Sequence, residues 1–158
     1  MKQRRPTKKP HLDLSVSRAT LRAWSPSRSE FRVWSTAALP ESELPASLSI
    51  RVVGLSASRR LNAQYRGKDK PTNVLSFAGT GTLPDGARLL GDLVICAPVV
   101  AREAKAQGKT LRAHWAHLTV HGVLHLLGMD HARTAEAVRM ERKEVQILDR
   151  LGFSDPYA

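Results

Sequence analysis

Apolar and polar positions alternate twice in the first third of the chain. Leu12, Leu14 and Val16 share one side of an extended segment at 11–18, and Leu48, Ile50 and Val52 share one side of another. A period of two is the pattern of a half-buried strand. Between them Phe31, Trp34 and Ala38 form an apolar helical stripe, with Ser25-Pro26 reading as cap and first helical residue and Pro40 and Pro45 as breakers. Ser56 predicts the cap of a short helix with Leu61 and Tyr65 on its inner face, closing near Gly67. Val74 to Phe77 predicts a strand, 79–86 a turn-rich loop, and Leu89 to Ala97 the most apolar strand. Helices follow from Pro98 to near Gly108, over 111–127, and over 134–151 with Thr134 as cap and Gly152 beyond the end. Strands early and helices late, without an internal repeat, predict an α+β fold: a small mixed β-sheet packed against several helices. The helix 111–127 carries Leu118, Val120, Val123, Leu124, Leu126 and Leu127, and so reads as central and mostly buried.

That helix also carries the chemistry. His121 and His125 are four apart, which places them on one helical face about one turn, ~6 Å, apart. Gly128 supplies a residue able to leave the helix in the left-handed region, and His131 returns from the loop toward the same point. Three imidazoles converging on one centre suit Zn2+ and leave a fourth position for water, as in catalytic rather than structural sites. Imidazole suits nickel and cobalt as well, so zinc is favoured by availability alone. The spacing matches the metzincin proteases, but the position of their glutamate base is Gly122, which argues against a protease. His117 lies on the same stripe and is in principle a fourth ligand. Three ligands up one helix diverge over ~12 Å, so His114 and His117 read instead as surface or supporting residues.

Composition narrows the substrate. The formal net charge is +11, with Lys2, Arg4, Arg5, Lys8 and Lys9 in a proline-punctuated tail at 1–10. A basic surface draws polyanions by counterion release, although such a tail is equally a solvated, disordered extension. A hydrolytic metal beside this charge favours nucleic acid over protein or sugar. Residues 11–158 read as a single metal-dependent hydrolase domain. The one cysteine, Cys96, sits in an apolar run with no disulfide partner, and no apolar stretch is long enough to span a membrane. With no apparent signal peptide, the expected compartment is the cytoplasm.

From about Ile50 onward the chain resembles the YbeY family of bacterial endoribonucleases and rRNA maturation factors. The resemblance is carried by Leu61-Asn62 through Tyr65-Arg66-Gly67-Lys68-Asp69-Lys70-Pro71-Thr72-Asn73-Val74-Leu75-Ser76-Phe77, by Leu90-Gly91-Asp92-Leu93-Val94-Ile95, and by His121-Gly122 through Asp130-His131. It implies a small sheet with surrounding helices, zinc held by His121, His125 and His131, and a functional role for Arg66. It also implies cleavage of single-stranded RNA, small-subunit rRNA 3′-end maturation and ribosome quality control, with rRNA precursor and the small subunit or its proteins as partners. Ala78 and Met129 stand where the family commonly has proline and tyrosine, and Gly54 and Ala57 stand near places that often carry acid.

Two routes to cleavage are open: hydroxide attack on phosphorus, or metal polarisation of a phosphate oxygen while the 2′-OH attacks. Both build charge on phosphate, for which a bidentate guanidinium such as Arg66 is the natural partner. Lys68 and Lys70 either contact RNA or solvate a loop. Asp130 is a turn residue or orients a ligand imidazole; Asp92 is not read as catalytic; Trp34 is read as core, and Trp115 as core or a base-stacking residue. The alternative function is a ribosome-assembly RNA-binding module with a mainly structural zinc.

Overall fold

The computed structural model describes residues 10–20, 23–130 and 132–158. The N-terminal basic tail, apart from Pro10, and His131 therefore lie outside the described residues. Four strands form one sheet: β1 (Leu12–Arg18), β2 (Ala46–Val53), β3 (Val74–Ala78) and β4 (Arg88–Cys96), in the order β1-β2-β4-β3. β1, β2 and β4 run parallel and β3 is antiparallel to β4, so the mixed α+β architecture expected from the pattern is the one observed. Among the described residues five α-helices pack around the sheet: α1 (Arg28–Ala38), α2 (Leu55–Arg66), α3 (Ala97–Ala106), α4 (Leu111–Leu126) and α5 (Thr134–Arg150).

The alternation in β1 and β2 decides which face is covered. Leu12, Leu14, Leu48, Ile50 and Val52 point into the main core with Leu93 and Ile95 of β4, where they meet Phe31, Trp34, Trp115, Val123, Leu124 and Ile147 from α1, α4 and α5. Burying a side chain of this size is worth about 1.5–3 kcal/mol. Trp115 is wholly buried and packs edge-on to Phe31, which settles it as core. On the opposite face α2 covers one end only, closing a smaller cluster of Val53, Leu75, Val94 and Cys96. The serines at 15, 17, 47 and 49 on that face stay partly or fully exposed.

Several caps differ from the pattern-based reading. α1 is capped by Ser27, not Ser25, because Ser27 forms a reciprocal capping box with Glu30. α2 starts one residue after Gly54, and α5 is preceded by Arg133 with no side-chain cap. In α2 the buried side chains are Ser58 and Asn62, while Tyr65 is exposed. Both buried groups bond the following loop, Ser58 Oγ to the Thr72 carbonyl at 3.0 Å and Asn62 Nδ2 to the Lys70 carbonyl at 2.8 Å. Leu61 packs against the small cluster as expected, and polar residues take the rest of the inner face because the loop 67–73 presents backbone groups that need partners.

α4 is buried on nearly every side, consistent with its absence of a polar face. It meets β4 at Gly122, where a Cβ would stand 2.8 Å from Leu93 Cδ2. The residue that fills the metzincin base position is therefore turned into the core, and a longer side chain there would have to displace Leu93. Gly128, at φ 92°, ends the helix as expected, and Met129 N–H returns to the Leu124 carbonyl at 3.1 Å.

Candidate metal and RNA site

The histidines of α4 form a ladder along one face. Ring centroids lie 6.1 Å apart for His114–His117, 6.3 Å for His117–His121 and 4.6 Å for His121–His125. The last pair brings its Nε2 atoms to 3.1 Å, so the one-turn spacing read from the sequence does converge two imidazoles. His131 belongs to the loop after Gly128 and lies outside the described residues. Asp130 behaves as a turn aspartate, its Oδ1 accepting from Ala132 N–H at 3.2 Å.

His114 and His117 are not surface residues. Both are buried, at 3% and 8% exposure, and each leaves its Nδ1 without a partner. His114 Nε2 donates to Glu103 at 3.0 Å; burial pushes its pKa down and outweighs the upward pull of that carboxylate. His117 Nε2 meets the Tyr157 hydroxyl at 3.1 Å.

The residue that sequence reasoning missed is Glu144. It is fully buried on α5, accepts a short hydrogen bond from His121 Nδ1, accepts another from the Tyr157 hydroxyl, and lies 3.6 Å from His117 Nε2. Burial alone raises a carboxyl, but the hydrogen bonds from His117, His121 and Tyr157 outweigh it and hold Glu144 down at about 2. The phenol of Tyr157 is pushed up, first by its own burial and then by this carboxylate. The signal was present in the pattern: Met140, Glu144, Ile147 and Leu148 form the buried stripe of α5, and an acid on such a stripe requires a partner.

His117, His121 and Glu144 offer donor atoms within 4.8 Å of one another and so constitute a possible metal site. Its inner contacts are already hydrogen bonds, and an ion at ~2.0–2.1 Å from each donor needs them farther apart. The larger hollow is on the other side of His121, where His121 and His125 line a cavity of about 640 Å³, against about 380 Å³ beside His114, His117 and Tyr157.

Arg66, Lys68 and Lys70 line that same cavity, together with Asn62, Asn73 and Ser76. Arg66 is held rather than free: it donates to the carbonyls of Ser76 at 2.9 Å and Tyr65 at 3.2 Å, and its Cζ lies 5.3 Å from the Phe77 ring centroid. The structure thus brings Arg66 to the same hollow as two of the three motif histidines. Asp92 is exposed on the opposite side of the sheet, consistent with its exclusion as catalytic.

Comparison with known proteins identifies the family. The family described as Endoribonuclease YbeY matches residues 21–152. Two proteins named Endoribonuclease YbeY, from Stenotrophomonas maltophilia strains R551-3 and K279a, are each 56% identical over 151 residues, covering 93% of this chain and 94% of theirs. The solution structure of TM1509 from Thermotoga maritima superposes with a TM-score of 0.53 at 18% identity, over 89% of this chain and 91% of that one, and supports the fold. No helix among the described residues is long and apolar enough to cross a membrane. Motif, fold and relatives agree, and the chain belongs to the YbeY endoribonuclease family.

Proposed function

We propose that this protein is a zinc-dependent endoribonuclease for single-stranded RNA that acts in small-subunit rRNA 3′-end maturation and ribosome quality control in the cytoplasm. Its partners are then rRNA precursor and the small ribosomal subunit or its proteins. Residues 11–158 form the hydrolase domain, and the tail at 1–10 adds cationic charge. The observation that carries the reading is the His121–His125 pair opening on a hollow rimmed by Arg66, Lys68 and Lys70.

His121, His125 and His131 are the zinc ligands in this reading, and the donor chemistry supports the assignment. Glu144 takes the proton-bearing Nδ1 of His121, which leaves Nε2 as a lone pair directed at His125. Two lone pairs at 3.1 Å repel unless a proton or cation lies between them. Two tetrahedral ligands at ~2.0–2.1 Å from zinc stand about 3.3–3.4 Å apart, close to that separation. Zinc bound there supplies Lewis acidity to a phosphate oxygen and lowers the pKa of a coordinated water toward ~7.

The protein's own groups supply the rest. Arg66 keeps N–H donors beyond the two that anchor it, and these face the cavity where phosphate charge develops. The anchoring fixes the fork before substrate arrives, so little ordering is needed in the transition state. Lys68 and Lys70 act as point charges along the same rim and hold the backbone. Elemental analysis of the purified protein, paired with cleavage of single-stranded RNA by wild type and His125→Ala, tests the proposal. One zinc per chain and loss of cleavage with RNA binding retained is the expected result. Cleavage that survives both His125→Ala and chelation refutes it; zinc-loaded protein without turnover would favour the assembly-module alternative.

A further inference from the structure

One exposed feature is left over by the site just described. Tyr65 is 53% exposed, although it follows the helical stripe expected to face inward. Its ring meets Phe77 edge-on, with centroids 5.1 Å apart and planes at 70°. Phe77 is half-buried and has Arg66 against its ring. Two consecutive residues of α2 therefore flank one aromatic ring, and they face two different hollows. Arg66 lines the hollow of His121 and His125, whereas Tyr65 and Phe77 line a neighbouring one of about 440 Å³ together with Ser49, Arg51, Leu61, Asp92 and Val94.

We propose that Tyr65 and Phe77 form a stacking shelf for an unpaired RNA base, next to the nucleotide held beside Arg66. This rests on the endoribonuclease reading and extends it to a second nucleotide position. Continuity is the first argument, because Phe77 is shared: a strand leaving the Arg66 hollow reaches the shelf by crossing a single ring. Chemistry is the second. The hollow is mixed: Leu61 and Val94 add apolar contact for a base plane beside the two rings, while Ser49 and the serine hydroxyls at 15, 17 and 47 on the sheet face beyond it offer hydrogen bonds to base edges. Charge is the third. Arg51 and Arg66 border the shelf, while Asp92, the cross-strand neighbour of Phe77, disfavours phosphate over the floor. A phosphate backbone along the cationic rim with its base turned over the rings satisfies both signs. Every base has a π-face, so the shelf holds single strands with little sequence preference and cannot accept a paired base.

The test uses the His125→Ala protein as a non-cleaving parent and a short oligouridylate carrying one 2-aminopurine. Stacking on one base is worth ~1–3 kcal/mol, so Tyr65→Ala should weaken binding about 5- to 150-fold and relieve the quenching of 2-aminopurine seen with the parent. Tyr65→Phe should bind and quench like the parent, and Tyr65→Leu should not, since it keeps apolar area without a π-face. Tyr65 is exposed, so these variants should retain the parent's thermal midpoint. Parent-like binding and quenching by Tyr65→Ala, with Arg66→Ala weakened, overturns the shelf and leaves the endoribonuclease reading standing. Failure of the parent itself to bind RNA overturns both.

Discussion

Replacing Glu144 by glutamine separates the orienting role of this carboxylate from every other way it can matter. The amide has the same shape and stays buried, but it presents one acceptor and one donor where the carboxylate presents two acceptors. Glu144 accepts from His121 and from Tyr157, so one of these contacts must become donor-to-donor or invert. If the amide NH2 faces His121, the ring moves its proton to Nε2, and the lone pair directed at His125 is lost. Removing such supporting partners typically costs 10–100-fold in metal affinity, or about 1.4–2.7 kcal/mol. The metal-free protein should also lose about 1–3 kcal/mol of stability, since a charge-assisted hydrogen bond is replaced by a weaker one in a fully buried place. Competition for zinc against a chromophoric chelator measures the first effect, and denaturant unfolding of metal-free protein measures the second. Long-range 15N correlation of the His121 ring reports the tautomer. Zinc affinity within twofold of wild type, with an unchanged tautomer, would refute the reasoning. If zinc instead sits among His117, His121 and Glu144, binding should vanish in Glu144→Gln and survive in His125→Ala.

Three further outcomes follow from particular contacts. Arg66→Lys should lower kcat on single-stranded RNA almost as far as Arg66→Ala, about 10²–10³-fold, with zinc content unchanged, because a point charge does not reproduce the anchored fork. Gly91 lies at φ 131° and a Cβ there would meet the Phe77 carbonyl oxygen at 2.1 Å, so Gly91→Ala should separate β3 from β4 and cost about 3 kcal/mol or more, visible as a thermal midpoint lowered by roughly 6–12 °C. His114 has a folded pKa below its ordinary 6.5, through burial that outweighs Glu103, with His117 and Lys109 also facing it. Its unfolded form takes up the proton more readily, so its contribution is whole above pH 6.5 and shrinks as pH falls below that. Urea midpoints measured between pH 7.5 and 5.5 should therefore decline less steeply in His114→Gln than in wild type.

What was legible in the sequence was whatever depends on period and on short spacing. The alternation in β1 and β2 identified the core face, and the four-residue step from His121 to His125 identified a converging pair, because both follow from local geometry. The inner face of α2 was legible for Leu61, which packs against the cluster of Val53, Leu75, Val94 and Cys96, but not for Tyr65, because hydrophobic periodicity says which residues favour burial but not which backbone groups arrive to be paired. The loop 67–73 brings unpaired carbonyls and amides, Ser58 and Asn62 answer them, and Tyr65 is displaced to the outside.

The same limit hid the network behind His121. Glu144 is 23 residues away along the chain, and the packing of α5 against α4 brings it to the ring, while Tyr157, from the segment beyond α5, reaches Glu144 and His117. Yet an acid four residues from Met140 and three and four from Ile147 and Leu148 on an apolar stripe cannot be buried alone, since an unpaired carboxylate there costs several kcal/mol. A basic partner must then come from a facing element, and α4 offers no lysine or arginine after Arg112, only imidazoles. Once α5 packs against α4, the basic partner is therefore a histidine. The fold chose His121, and by occupying its Nδ1 it left the other nitrogen directed into the cavity that Arg66 borders.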